Sequence, residues 1–156
     1  MKRDEHIEQG MGFGITTAVI TLLGAIIGLY SATHSFGAVL GGIISIGIAD
    51  SFSDALGIHV SGENNSRDRH KWTESITALL AKLILSLTFV IIFLTLSLNI
   101  AVYTSLVWGF LILIFYNYRL AKRQNQNPLN IISEHILIAV AVIILTYFLG
   151  HLVQFL

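Results

Sequence analysis

The chain is expected to be an all-α, polytopic membrane protein with five transmembrane helices forming one domain over residues 1–156. Three observations carry this. First, 54% of the 156 residues are hydrophobic and only 12% are charged, about half the ~25% charge of a soluble domain. Second, five runs approach the roughly 20 apolar residues needed to cross a bilayer. Third, the basic residues gather in alternate connecting segments. The mean hydropathy of +0.77 agrees with the first two.

The spans in order are about 11–30, 37–60, 74–96, 100–118 and 131–153. The first follows the mixed-charge stretch MKRDEHIEQG. It is too long for a signal-peptide core and has no clear small-residue cleavage site, so it is expected to be retained. Gly24 and Gly28 in it form a small-xxx-small pair. Ser31 to Phe36 links it to the second span, and SGENNSRDRHKWT leads from there to the third. An uncharged turn near Ser97 to Asn99 leads to the fourth, and Arg119 to Asn130, holding the only proline, precedes the fifth.

Orientation follows from lysine and arginine. Lys2, Arg3, Arg67, Arg69, Lys71, Arg119, Lys122 and Arg123 are eight of the nine basic residues, and five spans put all eight on one face. The positive-inside tendency then makes the N-terminus cytoplasmic and the C-terminus external or lumenal. Formal net charge is zero, so no global field recruits nucleic acid. The absence of cysteine excludes disulfides, thiolate metal sites and cysteine nucleophiles. No phosphate loop, HExxH or GxSxG motif is present, and an enzyme is not expected.

The second span carries the chemistry. Gly37, Gly41, Ser45, Ala49, Ser53 and Gly57 recur every fourth residue and form a small-residue stripe suited to close helix packing in a membrane. Asp50 and Asp54 lie beside it, one turn apart. Carboxylates inside an apolar helix require a partner, a water path or a cation. The ninth basic residue, Lys82, sits in span three. At ~1.5 Å per residue, Asp54, Lys82 and Asp50 lie roughly 9, 12 and 15 Å from the same surface. Lys82 is therefore an expected ion-pair partner, but one lysine does not neutralise two acids. The remaining charge suits a proton or a hard divalent cation. Ser53, His59 and Glu63 complete the candidate metal set with Asp50 and Asp54. His59 is also ordinary as an interfacial ring and Glu63 as a solvated acid. His6, Glu8, Glu74, Glu134 and His135 fall at the same level and make a candidate cation-collecting vestibule. For Glu74 and Glu134, complementing a helix dipole is the simpler role.

The second-span stretch IADSFSDALGIHVSGEN resembles the vacuolar iron transporter family, as do GFGITTAVITLLGAIIG in the first span and TYFLGHLVQFL in the last. The resemblance covers nearly the whole chain. It implies a homodimer that moves ferrous iron or manganese out of the cytoplasm in exchange for protons, along a path lined by spans one and two. The metal is then cargo, and no resident cofactor is implied. Asp50, Ser53, Ala55, Gly57 and Ser61 keep the family pattern. Phe13 stands where the family has an acid, Asp54 where it has methionine and Ile58 where it has glutamate. A carboxylate in place of a thioether makes a harder site. The expected location is a multi-pass position in the inner cell membrane of a prokaryote or a vacuole-like membrane of a eukaryote. Two rival expectations remain open: a non-transporting assembly or regulatory protein, and a proton or monovalent-ion channel.

Overall fold

The computed structural model describes the backbone of residues 3–63 and 71–155, with side chains over 7–61 and 72–155. Five helices account for nearly all of it: α1 (Arg3–Thr33), α2 (Phe36–Glu63), α3 (Lys71–Thr95), α4 (Leu98–Arg123) and α5 (Pro128–Val153). All five are long and apolar enough to cross a membrane, which fits a multi-pass membrane protein.

Two helices run past the apolar boundaries expected of them. α1 begins at Arg3 instead of near Met11, and α4 continues from Tyr118 to Arg123. Hydropathy marks what a bilayer would cover, whereas backbone hydrogen bonding continues through polar helix formers such as Glu, Gln, Lys and Arg. α4 stops where Asn125 adopts a positive φ of 53°. The amide of Gln126 then donates to Ala121 O at 3.0 Å, closing the last turn as a left-handed C-cap does. Asn127 starts α5 directly afterwards. Its side chain accepts from the amide of Leu129, and Pro128 occupies the first turn, where a missing N–H costs nothing.

α1 is the central helix and touches the other four, while α2 lies against α1 and α3. Half of the apolar stretch of α1 is buried, against 11% of that of α5. Val19, Leu22, Leu23 and Ile26 of α1 form the middle of the core with Ile43, Phe89, Phe93 and Leu113. Glycines allow the closest approaches. A Cβ on Gly10 would stand 2.4 Å from the carbonyl oxygen of Glu74, and one on Gly14 2.8 Å from that of Ala78, so α1 and α3 meet backbone to backbone. Gly24 and Gly28 lie against Val142 and Thr146 of α5.

The stripe on α2 behaves differently. Gly37, Gly41, Ser45, Ala49, Ser53 and Gly57 are all exposed. A Cβ on Gly41 or Gly57 would meet nothing within 4 Å. Within the chain, therefore, the stripe packs against no helix. α2 instead buries Val39, Ile43, Gly47 and Ser51, a second every-fourth-residue row. Ser45 lies two residues from Ile43, about 200° round the helix axis. Either row is periodic enough to be an interface, and the neighbouring helices select the second. Gly47 makes this possible, since a Cβ there would sit 2.8 Å from the Ser86 side chain of α3.

Candidate functional site

The close approach of α2 to α3 brings Lys82 against both carboxylates. Lys82 is 1% exposed, and its Nζ donates to Asp50 Oδ2 at 2.5 Å and also to Asp54 Oδ2. Burying an ammonium is expensive unless it is paired and hydrogen-bonded. Here two of its three N–H bonds reach acids one helical turn apart. The carboxylates are less enclosed, at 29% and 24% exposed. With all three groups ionised, one positive and two negative charges leave the cluster at −1.

α1 adds a fourth member. The hydroxyl of Thr17 lies 3.2 Å from Asp54 Oδ2 and 2.8 Å from its own helix carbonyl at Phe13. It carries one proton, so it donates to one of these at a time. Three helices thus converge on Asp54. The position of Thr17 was legible in principle, because it is a hydroxyl in span one at a depth comparable with the acids. No sequence spacing links it to them.

A cavity of about 750 Å³ extends from the basic end of the bundle to Thr17, and Asp50, Asp54 and Lys82 are not among its lining residues. Phe13, Thr16 and Thr17 line its inner part, and Glu8, Glu74, Arg123 and His135 its mouth. Thr17 belongs both to the cavity wall and to the carboxylate cluster. At the mouth, Arg123 pairs with Glu8 at 2.9 Å. Nδ1 of His135 is 2.8 Å from the carbonyl of Ile131. A carbonyl only accepts, so Nδ1 carries the proton of that bond and Nε2 is left to face other partners. Glu8, Glu74 and His135 therefore share one opening. Glu134 is exposed outside that lining, and the side chain of His6 lies outside the described residues.

The five-residue metal set does not converge. Asp50 and Asp54 meet at Lys82, but Ser53 is exposed on the outer face of α2. The ring of His59 lies 4.2 Å from that of Trp72, joining the end of α2 to the start of α3. The side chain of Glu63 lies outside the described residues. Ser51 is buried but donates to Gly47 O in its own helix, as serine in a membrane helix commonly does. Among the described residues, no three His, Cys, Asp or Glu side chains are grouped to hold a metal ion. The oxygen donors that do come together are Asp50, Asp54 and Thr17. Phe13 lines the cavity, so the cavity's inner wall is apolar there.

Comparisons with protein-family models, curated proteins and solved structures find no match to this chain.

Proposed function

We propose that the chain is a membrane transporter of a divalent cation, and that Lys82 is the group whose proton the cation displaces. The observation that carries this reading is the buried ammonium of Lys82 held between Asp50 and Asp54, with Thr17, which bonds Asp54, lining a cavity open at the basic end. Once the exchange removes the Lys82 proton, charge favours a divalent cargo. Exchanging the Lys82 proton for a doubly charged cation takes the cluster from −1 to neutral, because a neutral amine then stands beside two carboxylates and the cation. A monovalent cation exchanged in the same way leaves −1. The donors are hard oxygens, which suits manganese or ferrous iron in the order of ligand hardness.

In this scheme a cation arrives through the vestibule from the basic, cytoplasmic end, and Lys82 gives up its proton to the same side. After the site opens to the far side, the cation leaves and Lys82 takes a proton there. The net result is cation export against proton entry. A second copy of the chain covers the exposed small-residue face of α2, making a homodimer in which that face packs at last.

The test is flux in proteoliposomes over a panel of divalent metals, read with a metal indicator and a proton-sensitive dye, on wild type and on Asp50 and Asp54 variants. Asp54→Ala is expected to abolish metal flux with the fold intact. Unchanged flux in that variant removes Asp54 from the mechanism. A second reading is a non-transporting assembly or regulatory protein that uses the cluster as a structural ion triad. It is favoured by the small donor set and by Lys82 already filling the site. It predicts neither cation-dependent flux nor thermal stabilisation by any metal of the panel.

A further inference from the structure

On the other side of α1 from the carboxylate cluster, a groove of about 440 Å³ runs between α1 and α4 at the basic end. That volume lies within the ~300–1,000 Å³ of small-ligand sites. Its walls are Ile7, Met11 and Ile15 of α1 with Ile112 and Phe115 of α4. Arg119 and Arg123 stand at its polar end.

We infer that this groove binds an anionic phospholipid, with the phosphate on Arg119 and Arg123 and an acyl chain along the apolar walls. The inference rests on the reading of the five helices as membrane spans, and it is independent of what the carboxylate cluster transports. Charge complementarity supports it. The groove holds two guanidiniums and one carboxylate, Glu8, a net +1 that matches the single charge of a phosphodiester. Arg119 makes no ion pair among the described residues. Its guanidinium lies over the Phe115 ring at 5.6 Å, which fixes it at the edge of the apolar wall. Arg123 uses Nη1 for Glu8 and retains its other donors, so it can serve a phosphate without releasing the acid. Tyr116 also lines the groove. Lys122 is directed elsewhere, over the ring of Tyr118 at 5.8 Å. A free inorganic phosphate satisfies the arginines but leaves the apolar walls uncovered. A lipid covers both, and basic pockets between membrane helices commonly hold such headgroups.

The experiment is native mass spectrometry of the detergent-purified protein. Phosphatidylglycerol, phosphatidylcholine or inorganic phosphate is added at equal concentration. Carbonate-washed membranes are scored first: a protein that washes out of them overturns the membrane reading and this inference together, whereas loss of metal flux alone touches neither. Wild type is expected to retain phosphatidylglycerol about tenfold over phosphatidylcholine, whose phosphate can accept the same hydrogen bonds but whose trimethylammonium brings a positive charge to the two guanidiniums. Arg119→Gln with Arg123→Gln should bring the two lipids to parity. Ile112→Trp, which fills the groove and keeps both arginines, should lower retention of both. Lys122→Gln should change neither and serves as the folded control. Equal retention of the two lipids by wild type overturns the inference without reference to any variant. So does an unchanged preference in the double arginine variant. Displacement of phosphatidylglycerol by inorganic phosphate at equal concentration assigns the site to a free anion and overturns it as well.

Discussion

The Nζ of Lys82 and the Oδ2 of Asp50 stand 2.5 Å apart, and of the two only Lys82 is fully enclosed. Lys82 is the one charged side chain among the described residues that is fully buried. The asymmetry matters. The ammonium depends wholly on its two carboxylates for solvation, while each carboxylate keeps a part of its surface open. Part of each carboxylate is thus open to an approaching cation, and the lysine is not.

Removing the lysine is the most direct probe of this relationship. Lys82→Ala leaves two carboxylates one turn apart with no counter-charge, and breaking a buried pair in this way costs about 3–5 kcal/mol. Adding Asp50→Asn to Lys82→Ala should recover a large part of that loss, because it removes one of the repelling charges. Thermal denaturation in detergent measures both. Manganese should stabilise Lys82→Ala more than wild type, since no ammonium competes for the site. A double variant no more stable than Lys82→Ala would mean that the acids do not repel each other across the site.

Thr17 should affect transport more than stability. Its bond to Asp54 is 3.2 Å long and competes with a 2.8 Å bond to Phe13 O. Thr17→Val should therefore lower stability by no more than about 1 kcal/mol. As a ligand and wall residue, however, its loss should reduce metal flux several-fold in proteoliposomes. Thr17→Ser, which keeps the oxygen, should retain most of the flux. Equal flux in Thr17→Val and wild type would remove the hydroxyl from the cargo path.

The five helices were legible because apolar length is a strong, local signal, and the depth match of Asp50, Asp54 and Lys82 followed from counting along it. Two things were not legible. The stripe from Gly37 to Gly57 and the row from Val39 to Ser51 are equally regular. Only the positions of α1 and α3 decide which one is covered, and those depend on Gly10, Gly14 and Gly47. The second was the sharing of one ammonium by both acids. Two carboxylates on consecutive turns lie about 5–6 Å apart, within reach of a single Nζ placed between them. Counting charges gives the surplus of one correctly but not this geometry. Ser53 shares the apparent depth of the acids and lies on another face of the helix, which a one-dimensional depth count does not resolve, and His59 lies nearer the helix end, against Trp72.

The glycines divide sharply by position. Gly10→Ala would drive a methyl into the Glu74 carbonyl, and Gly150→Ala one into Gly28 O at 2.3 Å. The obstacle is backbone in both, so each should cost about 1–3 kcal/mol as overpacking does. Gly57→Ala meets nothing within 4 Å and gains helix propensity of about 1 kcal/mol at most. In a monomer it should be neutral or stabilising. In the proposed dimer, Gly41→Leu should shift the protein to monomer while each protomer stays folded. Gel filtration with light scattering distinguishes the two states. Loss of stability in Gly57→Ala without a change of mass would show that the exposed face meets something other than a second copy.

Because the chain has no cysteine, each introduced cysteine reports on one position alone. Thr16 lines the cavity that opens at the basic end. Ile48 is 50% exposed on the outer surface of α2, beside the small-residue stripe, where a bilayer or the proposed second copy rather than water would cover it. Thr16→Cys in sealed vesicles should react with a membrane-impermeant thiol reagent presented to the basic end. From the opposite side it should react far more slowly. Ile48→Cys should resist the reagent from both sides and become reactive only after solubilisation, despite its larger exposed area. Saturating manganese should slow the labelling of Thr16→Cys, since cargo held by Asp54 and Thr17 sits beside it on α1. Labelling of Ile48→Cys as fast as Thr16→Cys in intact vesicles would place water, not lipid, against α2.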